Sequence, residues 1–352
     1  MSHLETLVER AKTSELFTSP RLADDLRRFL ATSGDRIREL ARDAHARGVR
    51  TVYFAGGGGS WSAMYLGKYL ADRFTTLTTD AILSYDLIWR SPRRLGPDAL
   101  VFCASYSGGT EDTLLALRHA KAAGARTVAV VNRADTVIGR EADETIAYGA
   151  TALYALPMAA VSLFALEWAR IEGNGEADAV LDGFDALPEL IASAYRDSQA
   201  RGEEMAAEML PAQLLYCLGS GPLYGLAYKF ALTVFMENIR TNGAFIEAAE
   251  FRHGPAEALE RQRPEMAFLL GTDESRPMVE RSLEVARSRG ARVITFDAAD
   301  HAGLHPLLAP FVMKVPLQWF VVYSALMRGI DDLDARVLMG KRILATGEAT
   351  WP

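Results

Sequence analysis

Cysteine is scarce, with two residues in 352, too few for a disulfide framework. Cys103 and Cys217 each sit inside an apolar run, so both are expected as buried free thiols on strands, in a reducing compartment. Basic residues are outnumbered: 38 Lys and Arg stand against 45 Asp and Glu, a formal net charge of −7. That balance excludes a general electrostatic grip on nucleic acid. No uninterrupted apolar run reaches the roughly 18 residues of a membrane span, and Met1-Ser2-His3-Leu4-Glu5 lacks the apolar stretch of a signal peptide. The expectation is a cytoplasmic protein with neither a nucleic acid nor a membrane as partner. Low-complexity segments are absent. A lysine at nucleotide P-loop spacing is also missing after the Ser/Gly-rich turn at 105–110, which argues against a nucleotide site there.

What is present is a globular chain long enough for about two domains. Residues 3–47 read as helices, with Leu26, Leu30, Ile37 and Leu40 on one apolar face. Short apolar strands then alternate with helices: strands at 51–55, 99–104 and 127–131, helices at 60–74 and 110–123. This order predicts parallel strands covered on both faces. It recurs about 165 residues on, with strands at 214–218, 266–270 and 293–296 and helices at 223–237 and 278–288. Gly124-Ala125-Arg126-Thr127-Val128 is echoed by Gly290-Ala291-Arg292-Val293-Ile294, so a duplicated α/β unit is expected. The predicted organisation is a helical segment over 1–47, a first unit over 48–195 and a second over 196–352. The joint falls in the helix-rich stretch 173–208.

Ser105-Tyr106-Ser107-Gly108-Gly109-Thr110 lies between a predicted strand and a predicted helix. In an open α/β sheet, ligands bind beyond the carboxyl ends of strands. There, amides at a helix start favour an anion. Gly108 and Gly109 permit close backbone approach, and Ser105, Ser107 and Thr110 add three hydroxyls. A phosphate monoester fits this set; a plain helix cap built from the same residue types is the competing reading. Gly56-Gly57-Gly58-Gly59-Ser60 makes a second loop with easy backbone approach. It lacks the glycine spacing and acidic residue of a dinucleotide fingerprint, so Gly58, Gly59 and Ser60 are expected to contact sugar.

These residues resemble the sugar isomerase (SIS) domain family, over nearly the whole chain beyond the helical cap. Within it, the phospho-Amadori deglycases are most similar. That narrower likeness rests on Gly58-Gly59-Ser60-x-x-Ala63-x-Tyr65-x-x-Lys68-Tyr69, then Gly219-Ser220-Gly221 through Ala227-Tyr228-Lys229 to Met236-Glu237, then Glu250-Phe251-Arg252-His253-Gly254-Pro255, and Arg336-x-x-Met339-x-Lys341. The isomerase half of glucosamine-6-phosphate synthase is similar too. Val234 stands where that synthase carries a lysine, and no cysteine follows Met1, so glutamine-dependent amination is not expected.

The resemblance implies two tandem SIS domains, each a doubly wound, flavodoxin-like parallel sheet flanked by helices, behind an N-terminal helical cap. It implies Glu237 as the catalytic carboxylate and His253 as a ring-opening imidazole. It also implies a homodimer, with His253 reaching the neighbouring subunit's site, and a contribution from Lys341 in the C-terminal tail. A C1–C2 proton transfer in an opened ketosamine needs one base, a task suited to a partly buried carboxylate. No cofactor and no metal is expected: Glu250 and His253 form a single Glu-x-x-His pair, whereas metal sites of that kind use two. The substrate implied is an Amadori-type ketosamine 6-phosphate, cleaved to an aldose 6-phosphate and a free amine. A hexosamine-6-phosphate deaminase/isomerase and an aldose–ketose isomerase share the proton transfer and stay open. A phosphosugar sensor would need a basic helix-turn-helix, which residues 1–47 do not offer.

Overall fold

The structure is a computed structural model that describes residues 2–152 and 154–335. Two helices lead, α1 (His3–Ala11) and α2 (Ser19–Ala46). A Ser2–Glu5 capping box starts the first. The first sheet unit runs β1 (Thr51–Gly56), α3 (Gly58–Phe74), β2 (Thr78–Leu83), α4 (Ser84–Arg90), β3 (Ala99–Ser105), α5 (Glu111–Ala122), β4 (Arg126–Val131), α6 (Val137–Glu141) and β5 (Glu144–Ala147). All its strands are parallel, in the order β2-β1-β3-β4-β5, the flavodoxin-like doubly wound order.

Three helices connect the units: α7 (Ala155–Ile171), α8 (Glu176–Asp197) and α9 (Gln199–Glu208). The second unit follows with β6 (Leu214–Gly219), α10 (Tyr224–Lys229), a π-helical turn over Phe230–Val234, α11 (Phe235–Asn238), β7 (Asn242–Glu247), β8 (Glu265–Leu270), α12 (Arg276–Ser288), β9 (Arg292–Asp297) and α13 (Ala309–Met327). Its strands are again parallel, in the order β7-β6-β8-β9. Both sheets thus repeat one winding, and the two Gly-Ala-Arg segments sit at equivalent places, entering β4 and β9.

Every residue of β1 and β3 is buried, because helices cover both faces. Alternate side chains part between two cores. Val52, Phe54, Leu100 and Phe102 join a central core, while Tyr53, Val101 and Cys103 join an outer one. The second sheet does the same: Leu215 and Cys217 face the central core, and Met266, Phe268 and Leu270 face away. Cys103 and Cys217 are free and buried, and burial pushes the Cys103 thiol up to about 12. Among the described residues, Pro306–Met327 is the one helical stretch long and apolar enough to cross a membrane, although Lys314 and Gln318 interrupt its apolar run. It is 94% buried inside the protein, a core helix of this fold.

Three strands escape an apolar-run reading: β2, β5 and β7 all lie at sheet edges. An edge strand is covered on fewer sides, and the sequences TTDAIL, ETIA and NGAFIE reflect that. The 223–237 segment reads as one helix but is divided by the π turn. The helix after β1 begins at Gly58, two residues before its apolar pattern starts.

Helix α3 packs on α7 at Gly67, where an added Cβ would come within 2.6 Å of the Val161 Cβ. Gly67→Val is expected to cost about 1–3 kcal/mol through overpacking and to lower the urea midpoint. Gly175→Ala, where nothing lies within 4 Å of an added Cβ, should stay within about 0.5 kcal/mol. Equal midpoints for the two variants would refute this account of the α3–α7 contact.

Candidate functional site

Strand β3 ends at Ser105, and the chain turns through Ser107, Gly108 and Gly109 into α5. Gly108 has φ +62, and a Cβ there would fall 2.1 Å from Thr136 Oγ1. Glycine is required on both counts. Its N–H donates to Ser105 Oγ at 3.0 Å. Three hydroxyls converge: Ser105 and Thr110 at 2.6 Å, Ser107 and Thr110 at 3.4 Å, Ser105 and Ser107 at 3.5 Å. Thr110 occupies the N-cap position of α5, yet its hydroxyl makes no capping hydrogen bond. This separates the two readings of the motif, since a cap would spend that oxygen on the N2 or N3 amide. The cluster instead gathers hydroxyls in front of a helix N-terminus, where an anion is favoured.

The corresponding turn after β8 is different in charge. Gly271-Thr272-Asp273-Glu274-Ser275 puts two carboxylates where β3 is followed by hydroxyls. Asp273 accepts from the Ser275 N–H at 2.9 Å, and Glu274 pairs with Arg73 at 2.7 Å. The duplicated chain therefore offers a phosphate-type cradle after β3 and an anion-repelling turn after β8.

The glycine turn after β1 lies beside the first cradle: a Cβ on Gly57 would sit 3.3 Å from Asp112 Oδ2 in the first turn of α5. Gly58 takes φ +50, and Gly59 faces Lys229, whose Nζ would be 2.8 Å from an added Cβ. Ser60 is half-buried in the first turn of α3. From there α3 is fixed against α10 by aromatic pairs, Tyr65 stacked on Tyr224 and Trp61 against Tyr228, each with ring centroids 4.6 Å apart. Gly225 permits the approach, since a Cβ there would meet Ser62 O at 2.6 Å.

Lys229, Thr233 and Glu237 continue from this contact. In a regular α-helix, positions four apart drift steadily around the axis. The wider π turn over 230–234 removes that drift, and all three residues line one narrow cavity. Glu237 is half-buried. Tyr154, Lys314, Gln318 and Thr18 also line the cavity. Lys229 is 7% exposed, with Nζ 5.4 Å from the centre of the Tyr154 ring. Lys314 is 2% exposed and donates to Thr18 Oγ1. Burial, with the like charges of Lys229 and Arg21, holds its amine well below the usual lysine range.

The predicted site residues thus fall into three groups. Gly58 and Gly59 join Glu237 through Lys229 and Thr233, and Ser105, Ser107, Gly108 and Thr110 form the neighbouring cradle. His253 stands apart: it is exposed in the 3-10 turn Glu250–His253 after β7, accepting from Arg252 Nε at 3.2 Å, and does not line the Glu237 cavity. Lys341 lies outside the described residues. Sequence reasoning quotes Lys229 within the Ala227-Tyr228-Lys229 motif without giving it a role, and passes over Lys314. Lys229 looks like an ordinary helical lysine, whereas Lys314 carries a readable signal, the one charge within Ala309–Met327.

Comparison with known proteins shows the family and the fold. The SIS domain family model matches residues 47–167. Fructoselysine 6-phosphate deglycase of Escherichia coli is 31% identical over 330 residues, covering 93% of this chain and 97% of that protein. A fructosamine deglycase of Bacillus subtilis is 28% identical, covering 75% and 82%. The crystal structure of a proposed phosphosugar isomerase from Bacillus subtilis superposes with a TM-score of 0.79 at 27% identity, covering 87% of this chain and 96% of that one. A chain with two parallel sheets of one winding, a hydroxyl-lined strand-to-helix turn and a carboxylate cavity beside it, so similar over its length to these proteins, belongs to the SIS family of phosphosugar deglycases and isomerases.

Proposed function

We propose that this protein is a phosphosugar deglycase that cleaves an Amadori-type ketosamine 6-phosphate to an aldose 6-phosphate and a free amine. The observation that carries this reading is the half-buried Glu237, in a cavity whose lining residues Lys229 and Thr233 also meet the glycine turn beside the Ser105–Thr110 cradle. The full-length similarity to two deglycases supports it. The phosphate rests on the hydroxyls of Ser105, Ser107 and Thr110 and the first amides of α5. Gly58, Gly59 and Ser60 border the sugar, and their small size admits it. Glu237 takes a proton from C1 of the open ketosamine, leaving an enolamine, and returns a proton to C2. The product is an imine at C1. Water adds there and the amine departs, leaving the aldehyde of the aldose phosphate. The substrate's own nitrogen supports the electron shift, so this chain's part is positioning and proton transfer.

His253 opens the sugar ring in this reading, and its distance from the Glu237 cavity within one chain is met by a homodimer in which it serves the neighbouring subunit. Lys341 contributes to the same site in this reading. The two sheet units serve as tandem domains, 48–195 and 196–352, behind the segment 1–47, and the site lies where they meet.

Incubation with fructoselysine 6-phosphate, fructoseaspartate 6-phosphate and glucosamine 6-phosphate, following hexose phosphate, amine and ammonia, tests the reading. Hexose 6-phosphate with an equal amount of amine is expected from an Amadori substrate. Ammonia from the aminosugar alone would refute it.

Glu237→Gln is expected to lower kcat by about 10²–10⁴-fold with KM nearly unchanged, because the amide keeps the shape and loses the base. Ser105→Ala removes the oxygen that meets both Thr110 and the Gly108 amide. It should raise KM for the phosphorylated substrate about tenfold, the loss of one charge-assisted hydrogen bond, with a smaller effect on kcat. Mixing Glu237→Gln and His253→Ala subunits should restore activity that neither homodimer has. Mixed assemblies as inactive as their parents would rule out the shared site.

A further inference from the structure

The exposed turn that carries His253 is held from within by a side chain that the reaction leaves unused. Glu247 is the last residue of β7, an edge strand of the second sheet, and it is half-buried. A carboxylate at a strand end ordinarily reaches into water. This one folds back over the carboxyl end of the sheet. Its Oε2 accepts from the Ala249 N–H at 2.6 Å and from the Glu250 N–H at 3.3 Å. Its Oε1 accepts from the hydroxyl of Ser220, a residue only 5% exposed.

These contacts join two turns that lead to different groups of the proposed reaction. Ala249 is the N-cap of the 3-10 turn Glu250–His253. Ser220 lies in the turn after β6, from which the chain runs through α10 to Lys229 and on to Glu237. Strands β6 and β7 are paired neighbours, so the two turns lie side by side and one carboxylate spans them. Hydrogen bonds to an ionised carboxylate are about twice as strong as neutral ones, and three on one group make a firm tie.

The inner side of the His253 turn has its own anchors. Phe251 is 3% exposed and packs in the outer core of the second sheet. Ser282 Oγ donates to Ala248 O at 3.2 Å. Arg252, His253 and Gly254 are exposed, so the backbone of the turn sets where the imidazole stands. A displacement of about 1 Å can cost about 10²-fold in rate, and a side chain that works in a neighbouring subunit depends on a fixed backbone. We propose that Glu247 is a positioning residue, which locks the His253 turn to the Ser220 turn and so places the imidazole for ring opening in the partner subunit. This rests on the deglycase reading and its shared site. Glu247 touches neither substrate nor reacting atoms and exchanges no proton.

Glu247 grips both turns, and mixed assemblies show which catalytic group it serves. The readout is hexose 6-phosphate released from fructoselysine 6-phosphate and fructoseaspartate 6-phosphate. Glu247→Leu should lower kcat by about 10²-fold. Glu247→Gln should stay within about threefold of native, because its amide oxygen still accepts from the turn and its amide N–H can donate to Ser220. Glu247→Leu subunits mixed with Glu237→Gln subunits should reach at least about tenfold above either parent, since one mixed site combines an intact Glu237 with an intact His253 turn. Mixed with His253→Ala subunits, they should recover nothing. Ser220→Ala breaks the tie and leaves the turn amides bonded; it serves where Glu247→Leu does not fold, and should recover with Glu237→Gln and not with His253→Ala. Recovery with His253→Ala, or with neither partner, overturns the inference. So does a Glu247→Leu enzyme with native kcat, or a Glu247→Gln enzyme that loses as much as Glu247→Leu. Failure of Glu237→Gln and His253→Ala subunits to complement each other removes the shared site and this inference with it, while cleavage by the native enzyme keeps the deglycase reading. Native enzyme that cleaves neither substrate overturns the deglycase reading itself.

Discussion

The structure depends on one close approach. The helix that carries Lys229 belongs to the second sheet unit, yet it meets the glycine turn of the first. A single methyl group on Gly59 would sit 2.8 Å from the lysine nitrogen, far inside ordinary contact. Because the turn has no side chains, the two units close on each other there. Lys229, Thr233 and Glu237 then reach across the joint from one face of a single segment. The stacked Tyr65–Tyr224 pair and the Gly225–Ser62 contact hold the same seam further along. The hydroxyl cluster and the Glu237 carboxylate come from different units, and the seam brings those units together.

Duplication explains why so much of the molecule looks alike and why its chemistry does not. Both sheets wind in one order, and both present a strand-to-helix turn where a ligand can bind. After β3 that turn holds three hydroxyls; after β8 it holds Asp273 and Glu274. The backbone is reused, and the side chains decide which copy accepts an anion. The second copy carries carboxylates in that turn and supplies the helix with the π turn. That turn is a local irregularity with a definite result, since it brings residues 229, 233 and 237 onto one wall.

The central strands could be read from sequence because they are buried on both sides. Val101-Phe102-Cys103-Ala104 and Leu214-Leu215-Tyr216-Cys217-Leu218 are short apolar runs ended by Ser/Gly turns, and shortness with flanking turns separates them from a buried helix. β2, β5 and β7 could not be read in that way, because an edge strand needs fewer apolar residues. Ser105, Ser107, Gly108 and Thr110 were visible as a motif, but only coordinates show that the Thr110 hydroxyl turns to Ser105 and leaves the helix uncapped. The π turn has no sequence rule to betray it. Lys229 was visible in a motif but its setting was not, because burial of a lysine is a tertiary event: nothing in Ala227-Tyr228-Lys229 announces that the Gly59 turn and the Tyr154 ring will cover it.

Lys314 shows how a core accommodates a group that opposes its stability. An amine in a helix that carries no other charge opposes folding, and its neighbours Lys229 and Arg21 add repulsion. A core selected for stability alone would place methionine or leucine there. The fold carries the group because α13 is packed on nearly every side and Gln318 anchors the covering segment, so the local cost is spread through a large central core. Burial and that repulsion hold the amine well below the usual lysine range, so the core tolerates the group by disfavouring its charged form.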